Sequence, residues 1–217
     1  MSMFPKHDPH AAGELLHAGE PLAHAKGAVI LLHGRGGSAE DILSLARPLS
    51  LSGISYVAPE AAGRTWYPES FLAPRERNEP GLGSALARIE QTILTLGQAG
   101  LTRDKILLCG FSQGACLSTE FIASHPARYA GLIAFTGGLV GPVGSDLHHA
   151  GDLAGTPALL SSGDPDPHVP WSRVLESADE LTRMGAQVTT RRYPGRSHSI
   201  SAGEIADARA LLEQAFR

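Results

Sequence analysis

The 217-residue sequence predicts an α/β protein: a mostly parallel central sheet with helices on both faces. Three observations predict it. Short, continuous apolar runs recur along the chain, as strands covered on both faces require. Stretches with apolar residues three and four apart alternate with those runs, which is the order of strand–helix–strand units. Hydrophobic residues make up 42% of the chain against 18% charged, enough for one sizeable core. At roughly 100–200 residues per domain, residues 1–217 read as a single domain.

The first run of the alternation is 28–32, AVILL. A helix is expected over 38–52, with Ser38 as N-cap and Glu40 and Asp41 in its first turn, where carboxylates suit the helix dipole. Residues 54–58 (ISYVA) give the next strand. Pro80 opens a helix whose Leu82, Leu86, Ile89, Ile93 and Leu96 share a face and which closes at Gly100. A strand at 105–109 (KILLC) and a helix over 113–124, ending before Pro126, follow. Strands at 131–135 and 158–161, a helix over 171–184 and a strand over 187–193 continue the alternation. The last helix starts at Ser201, where Glu204 completes a capping box. Residues 1–26 are expected to add an antiparallel hairpin.

Several classes of function are excluded early. A formal charge of −4 does not suit a nucleic-acid binder, which needs a basic face to displace counterions. Cys109 and Cys116 are too few for a disulfide framework and lie in apolar stretches, so they read as reduced, buried thiols of a cytoplasmic protein. No run reaches the ~18 apolar residues of a membrane span. The start, MSMFPKHDPH, has no basic segment leading into an apolar one, so no secretory signal is expected.

Two long irregular segments stand out, and connections of such length tend to be functional or disordered. Residues 59–79 carry Trp66, Tyr67, Phe71 and Leu72 and read as a lid-like loop or pocket wall. Residues 136–156 are Gly-rich and contain His148 and His149, whose adjacency prevents easy chelation of one metal.

Chemistry enters at Gly110-Phe111-Ser112-Gln113-Gly114, a G-x-S-x-G pattern between an expected strand and an expected helix. The turn needed there is so sharp that its serine sits in strained backbone, and the flanking glycines remove Cβ atoms that would clash. A serine needs a base, and the base an orienting carboxylate, in the chain order Ser, Asp, His. Of the ten histidines, His198 follows the last expected strand and precedes the final helix, the position a base requires. His168 shares a loop with the candidate acids, His125 ends a helix, and His7, His10, His17 and His24 read as surface residues. For the acid, Asp164 and Asp166 compete: Asp164 can brace its turn, whereas Asp166 lies further into the loop, closer to the reach of a histidine. After the first strand, His33-Gly34-Arg35-Gly36-Gly37 leaves backbone N–H groups free to enter a site. The amides of Arg35 and Gln113 are the expected oxyanion donors, and the Arg35 guanidinium reads as solvated.

The same glycines allow a rival reading. Gly34-x-Gly36-x-x-Ala39 fits a dinucleotide fingerprint, with Glu60 placed where a ribose-binding carboxylate would fall. That reading leaves GFSQG, the DPD loop and the YPGRSH loop unexplained.

With LLHGRGG, GFSQGA, GDPDPHVP and YPGRSHSI in this order, the chain from about residue 27 onward resembles the phospholipase/carboxylesterase family, which includes acyl-protein thioesterases. The resemblance implies an α/β-hydrolase fold without a large cap domain. It also implies a Ser112, Asp166, His198 triad and so selects Asp166 over Asp164. It departs from thioesterase members, which often have Asp at Gly37 and Trp-Phe-Asp at Trp66-Tyr67-Pro68. The implied activity is ester hydrolysis through an acyl-enzyme, carboxylesterase- or lysophospholipase-like, with thioester cleavage as the alternative. No metal or organic cofactor is required. Trp66, Tyr67, Phe71, Leu72, Leu139, Val169 and Trp171 lie near the expected site loops and form a candidate acyl pocket, ordinary core packing being the other reading. A small-molecule ester or lipid is the expected substrate, in a shallow site covered mainly by 59–79, and an apolar rim could pair two copies as a homodimer.

Overall fold

The computed structural model describes residues 8–217. Seven strands, β1 (Leu15–Gly19), β2 (Gly27–Leu32), β3 (Ile54–Pro59), β4 (Ile106–Phe111), β5 (Gly131–Phe135), β6 (Pro157–Asp164) and β7 (Gln187–Pro194), form one sheet. Their spatial order is β1-β3-β2-β4-β5-β6-β7, with every neighbouring pair parallel except β1 and β3. The architecture is the expected α/β one, and among the described residues no inserted domain covers the sheet.

Five helices flank the sheet: α1 (Ala39–Leu43), α2 (Gly81–Gln98), α3 (Gln113–Ser124), α4 (Trp171–Arg183) and α5 (Ala202–Ala215). Alternate strand residues point to opposite faces, so each buried strand feeds two cores. Ile30, Leu108, Ala134 and Leu160 pack with α2, α3 and α4, whereas Leu31, Cys109, Ile133 and Leu159 pack with α1 and α5. Both free cysteines are buried, and that burial pushes the Cys116 thiol up to about 12. Among the described residues, no helix is long and apolar enough to cross a membrane.

Two expectations need correction. Among the described residues 8–26 no hairpin forms: β1 pairs antiparallel with β3, Leu15 opposite Pro59 and Gly19 opposite Ser55. Both edges of β2 are already taken by β3 and β4, so the free edge of β3 is what remains for β1. The part of that expectation on residues 1–7 lies outside the described residues. The helix read over 38–52 stops after five residues and passes into a 3-10 turn at Ser44–Ala46. Pro48 fits this, because it has no N–H to offer the Ser44 carbonyl, which accepts from the Arg47 amide at 3.3 Å in the tighter 3-10 pattern instead. The Ser38 cap is present, accepting from the Asp41 amide, and so is the Ser201–Glu204 capping box.

Because β2, β4, β6 and β7 run in the same direction, the loops that leave them open on one edge of the sheet. That edge is where ligands bind in open α/β sheets.

Candidate active site

Ser112 stands between β4 and α3 at φ 54° and ψ −117°, a left-handed conformation that a serine adopts only when its surroundings impose it. The surroundings are tight. A Cβ on Gly114 would collide with the Leu32 and His33 carbonyls, and one on Gly110 would collide with the Gly114 backbone. The Ser112 amide is fixed by the Phe135 carbonyl on the neighbouring β5, at 2.9 Å. This is the strand–turn–helix context that the G-x-S-x-G pattern requires.

The Ser112 Oγ donates to His198 Nε2 at 2.8 Å, and His198 Nδ1 donates to Asp166 Oδ2 at 2.9 Å. The other carboxylate oxygen of Asp166 accepts from the amides of His168 and Val169, each at 2.9 Å. Burial opposes ionisation of Asp166, but the His198 ring and these two amides outweigh it and hold the carboxyl below the usual carboxylate range. The Asp164 carboxylate pairs with Arg192 of β7 rather than with backbone N–H groups of its own turn, and its carbonyl accepts from Gly195 at 3.0 Å. The histidine loop is anchored by Arg196, which donates to Thr136 Oγ1 at 2.6 Å and pairs with buried Glu204 at 3.3 Å. Phe111 and His168 flank the His198 ring, with centroids 5.1 and 4.8 Å away.

Residues 59–79 are packed against this centre through groups whose roles the sequence pattern did not reveal. The Gln113 side chain accepts from the Trp66 amide at 2.9 Å and donates to the Tyr67 carbonyl at 2.8 Å. His33 accepts from Ala61 N–H through Nε2 at 3.1 Å and donates from Nδ1 to the Gly34 carbonyl at 2.8 Å. His10, read from the sequence as a surface residue, is buried instead and staples the same segment, accepting from Ala62 and donating to the Trp66 carbonyl. Burial lowers the pKa of both rings, in keeping with neutral histidines that donate on one side and accept on the other. The Arg35 guanidinium is exposed, as read from the sequence, and it also grips the Pro68 and Glu69 carbonyls at 2.8 and 2.6 Å. The Arg35 backbone amide and that of Gln113 donate to no loop, turn or side-chain acceptor among the described residues.

A cavity of about 640 Å³ opens beside Ser112. Tyr67, Phe71, Leu72 and Val169 line it as expected, together with Arg35, Gln113, Cys116 and His168. Trp66, Leu139 and Trp171 do not. Trp66 is wholly buried behind the wall, its indole N–H on the His33 carbonyl at 2.9 Å. Leu139 is buried with its amide on Ser177, and Trp171 packs against the core at the start of α4. For these three the core-packing reading holds. Proximity in sequence to a site loop does not say which way an alternating backbone turns a side chain.

The dinucleotide reading fails on geometry. Glu60 caps α1, its carboxylate accepting from the Ala39 amide, so an acidic side chain already holds the place a pyrophosphate would take. Among the described residues no three His, Cys, Asp or Glu side chains are placed to hold a metal ion. His149 instead pairs with Glu120.

The sheet, with a strained serine turn between its central strand and the following helix, defines an α/β-hydrolase. Residues 18–215 match the phospholipase/carboxylesterase family, and the chain belongs to that family of hydrolases. A phospholipase/carboxylesterase from Dyadobacter fermentans superposes with a TM-score of 0.89 at 42% identity, over 95% of this chain and 97% of that one. Acyl-protein thioesterase 1 of Schizosaccharomyces pombe is 28% identical over 80% of this chain and 84% of its own length. Its counterpart in Cryptococcus neoformans is 25% identical over 87% of this chain and 92% of its own.

Proposed function

We propose that this protein is a carboxylesterase that hydrolyses small-molecule or lipid esters through an acyl-enzyme on Ser112. The observation that carries the reading is the unbroken relay from Ser112 Oγ through His198 to the buried carboxylate of Asp166. His198 takes the serine proton as Oγ attacks the ester carbonyl, while Asp166 fixes the imidazole tautomer and stabilises the imidazolium. The tetrahedral oxyanion rests on the amides of Arg35 and Gln113, each donor contributing about 3–4 kcal/mol. His198 then protonates the departing alcohol and, in the second half-reaction, activates water against the acyl-enzyme. This chemistry needs no metal or organic cofactor.

The acyl group lies in the cavity lined by Tyr67, Phe71, Leu72 and Val169, with 59–79 as its wall. Thioester cleavage is the second reading, favoured by the acyl-protein thioesterases among the relatives. The free, buried thiols fit a cytoplasmic protein.

Ser112→Ala should reduce p-nitrophenyl butyrate hydrolysis to background and abolish labelling by a fluorophosphonate. Retained turnover in that variant would remove the mechanism. A matched ester and thioester pair with the same acyl chain separates the two readings by their ratio of kcat/KM.

A further inference from the structure

A second groove, of about 420 Å³, opens on the far side of His198. Ile42, Leu45, Phe111 and Ile200 give it apolar walls, and it shares Arg35 and His198 with the cavity beside Ser112. We propose that this groove receives the leaving alcohol of the substrate, and that the alcohol is neutral and apolar. The assignment rests on the reading of Ser112 as nucleophile and His198 as base.

Proton transfer dictates which cavity takes which half of the ester. In acylation the Ser112 Oγ–carbon bond forms and the bond from carbon to the alkoxy oxygen breaks. The proton leaves Oγ, is carried on His198 Nε2 and ends on that alkoxy oxygen, so a neutral alcohol departs. The leaving oxygen must therefore lie against His198, while the acyl chain extends away from it. The larger cavity contains Ser112 and Gln113 and is the acyl side. The groove contains Ser199 and Ile200 from the histidine loop, with α1 and its following turn opposite, and is the alcohol side.

The charges around the groove narrow the class. Its carboxylate is that of Asp41, which disfavours an anionic leaving group. The nearby cation, Arg35, has its guanidinium engaged by Pro68 and Glu69. Leu45, Phe111 and Ile200 are half-buried and pack on the core beneath, so they offer a fixed apolar surface.

The test holds the acyl group constant and varies the alcohol: ethyl, butyl and hexyl acetate, read as kcat/KM, which reports acylation. Full burial of a methylene is worth roughly fourfold, and half-buried walls about half of that in logarithmic terms, so hexyl acetate, with four more methylenes, should exceed ethyl acetate by about 16-fold. Leu45→Glu should bring that ratio close to one. Leu45→Trp, which keeps an apolar side chain but fills the groove, should lower it as well and covers the case in which the glutamate variant does not fold. A flat series in the native protein, or a ratio unchanged in the folded variants, overturns the assignment. If p-nitrophenyl acetate is hydrolysed in a Ser112-dependent way while the series is flat, the groove assignment alone fails. If no acetate ester is turned over and Ser112 is not labelled, the esterase reading fails and the groove assignment falls with it.

Discussion

The two long irregular segments, 59–79 and 136–156, have similar lengths and opposite roles. The first is drawn into the site: Gln113, His10, His33 and Arg35 all hydrogen-bond its backbone, and Tyr67, Phe71 and Leu72 line the cavity. The second is drawn into the core only at 136–141 and at Leu153 and Thr156, its middle being mostly exposed. Buried Arg173 donates to the carbonyls of Leu139, Gly141 and Pro142, Ser177 holds the Leu139 amide, and none of its residues lines the cavity beside Ser112. Glu120, buried on α3, touches both: it pairs with Arg75 of the first segment, and with His149 and the Val140 amide of the second. A long loop thus becomes a site wall or a piece of the core according to which buried polar groups satisfy its backbone.

The largest effect that would sharpen this contrast is on stability. Arg173→Met leaves three carbonyls, two buried and one part-buried, without their donor and should cost about 3–5 kcal/mol in denaturant unfolding, with kcat/KM changed less than threefold in the folded enzyme. A large loss of activity at full folding would show that 136–156 also shapes the site.

The bridge between the segments predicts a pH effect. The hydrogen bond to Glu120 raises the His149 pKa above its usual value. Its contribution is therefore full below the unfolded value and lost as pH rises through the raised folded one. Burial raises Glu120, but His149 and Arg75 more than offset it and leave the carboxyl low, so its contribution is lost only as pH falls through that lowered value. Burial lowers the pKa of His10 and His33, whose contributions grow as pH rises to about 7. Urea midpoints should therefore decline only from about pH 7 to 9, and Glu120→Gln should cost about 2–3 kcal/mol at pH 6 while flattening the part of that decline due to His149. An identical decline in the variant would remove His149 as its source.

Gln113→Ala tests the first segment. Losing two buried hydrogen bonds should cost about 2 kcal/mol and, because the wall at Trp66 and Tyr67 loosens, lower kcat/KM about tenfold. Equal kcat/KM would mean that 59–79 keeps its position without that amide. The smallest effect belongs to Arg35→Met. Its two guanidinium bonds are exposed, so a stability loss below about 1 kcal/mol and a two- to threefold rise in KM are expected from steady-state assays.

Much of the site was legible because its residues sit at topologically forced places. Ser112 and Asp166 follow β4 and β6, whose apolar runs are plain, whereas His198 follows the mostly polar β7 and was placed by its position before the capping box. The chain order of these residue types is the one the fold uses. The pocket was legible only in part. Trp66 and Tyr67 are adjacent, yet Trp66 is buried behind the wall and Tyr67 faces the cavity, a difference that no composition or spacing encodes. His10 gave no signal at all, since its partners lie more than fifty residues away in the chain.

By itself, then, the sequence determined the α/β order, the strained serine turn and the two loops that carry Asp166 and His198. Local rules govern these: apolar periodicity, glycine at a crowded turn, a capping box. Tertiary structure alone decided the burial of His10 against the backbone of 59–79, the course of β1 to the free edge of β3, and the division of two similar loops into wall and core. Each of those depends on which backbone groups distant side chains satisfy, and that follows only once the sheet has brought them together.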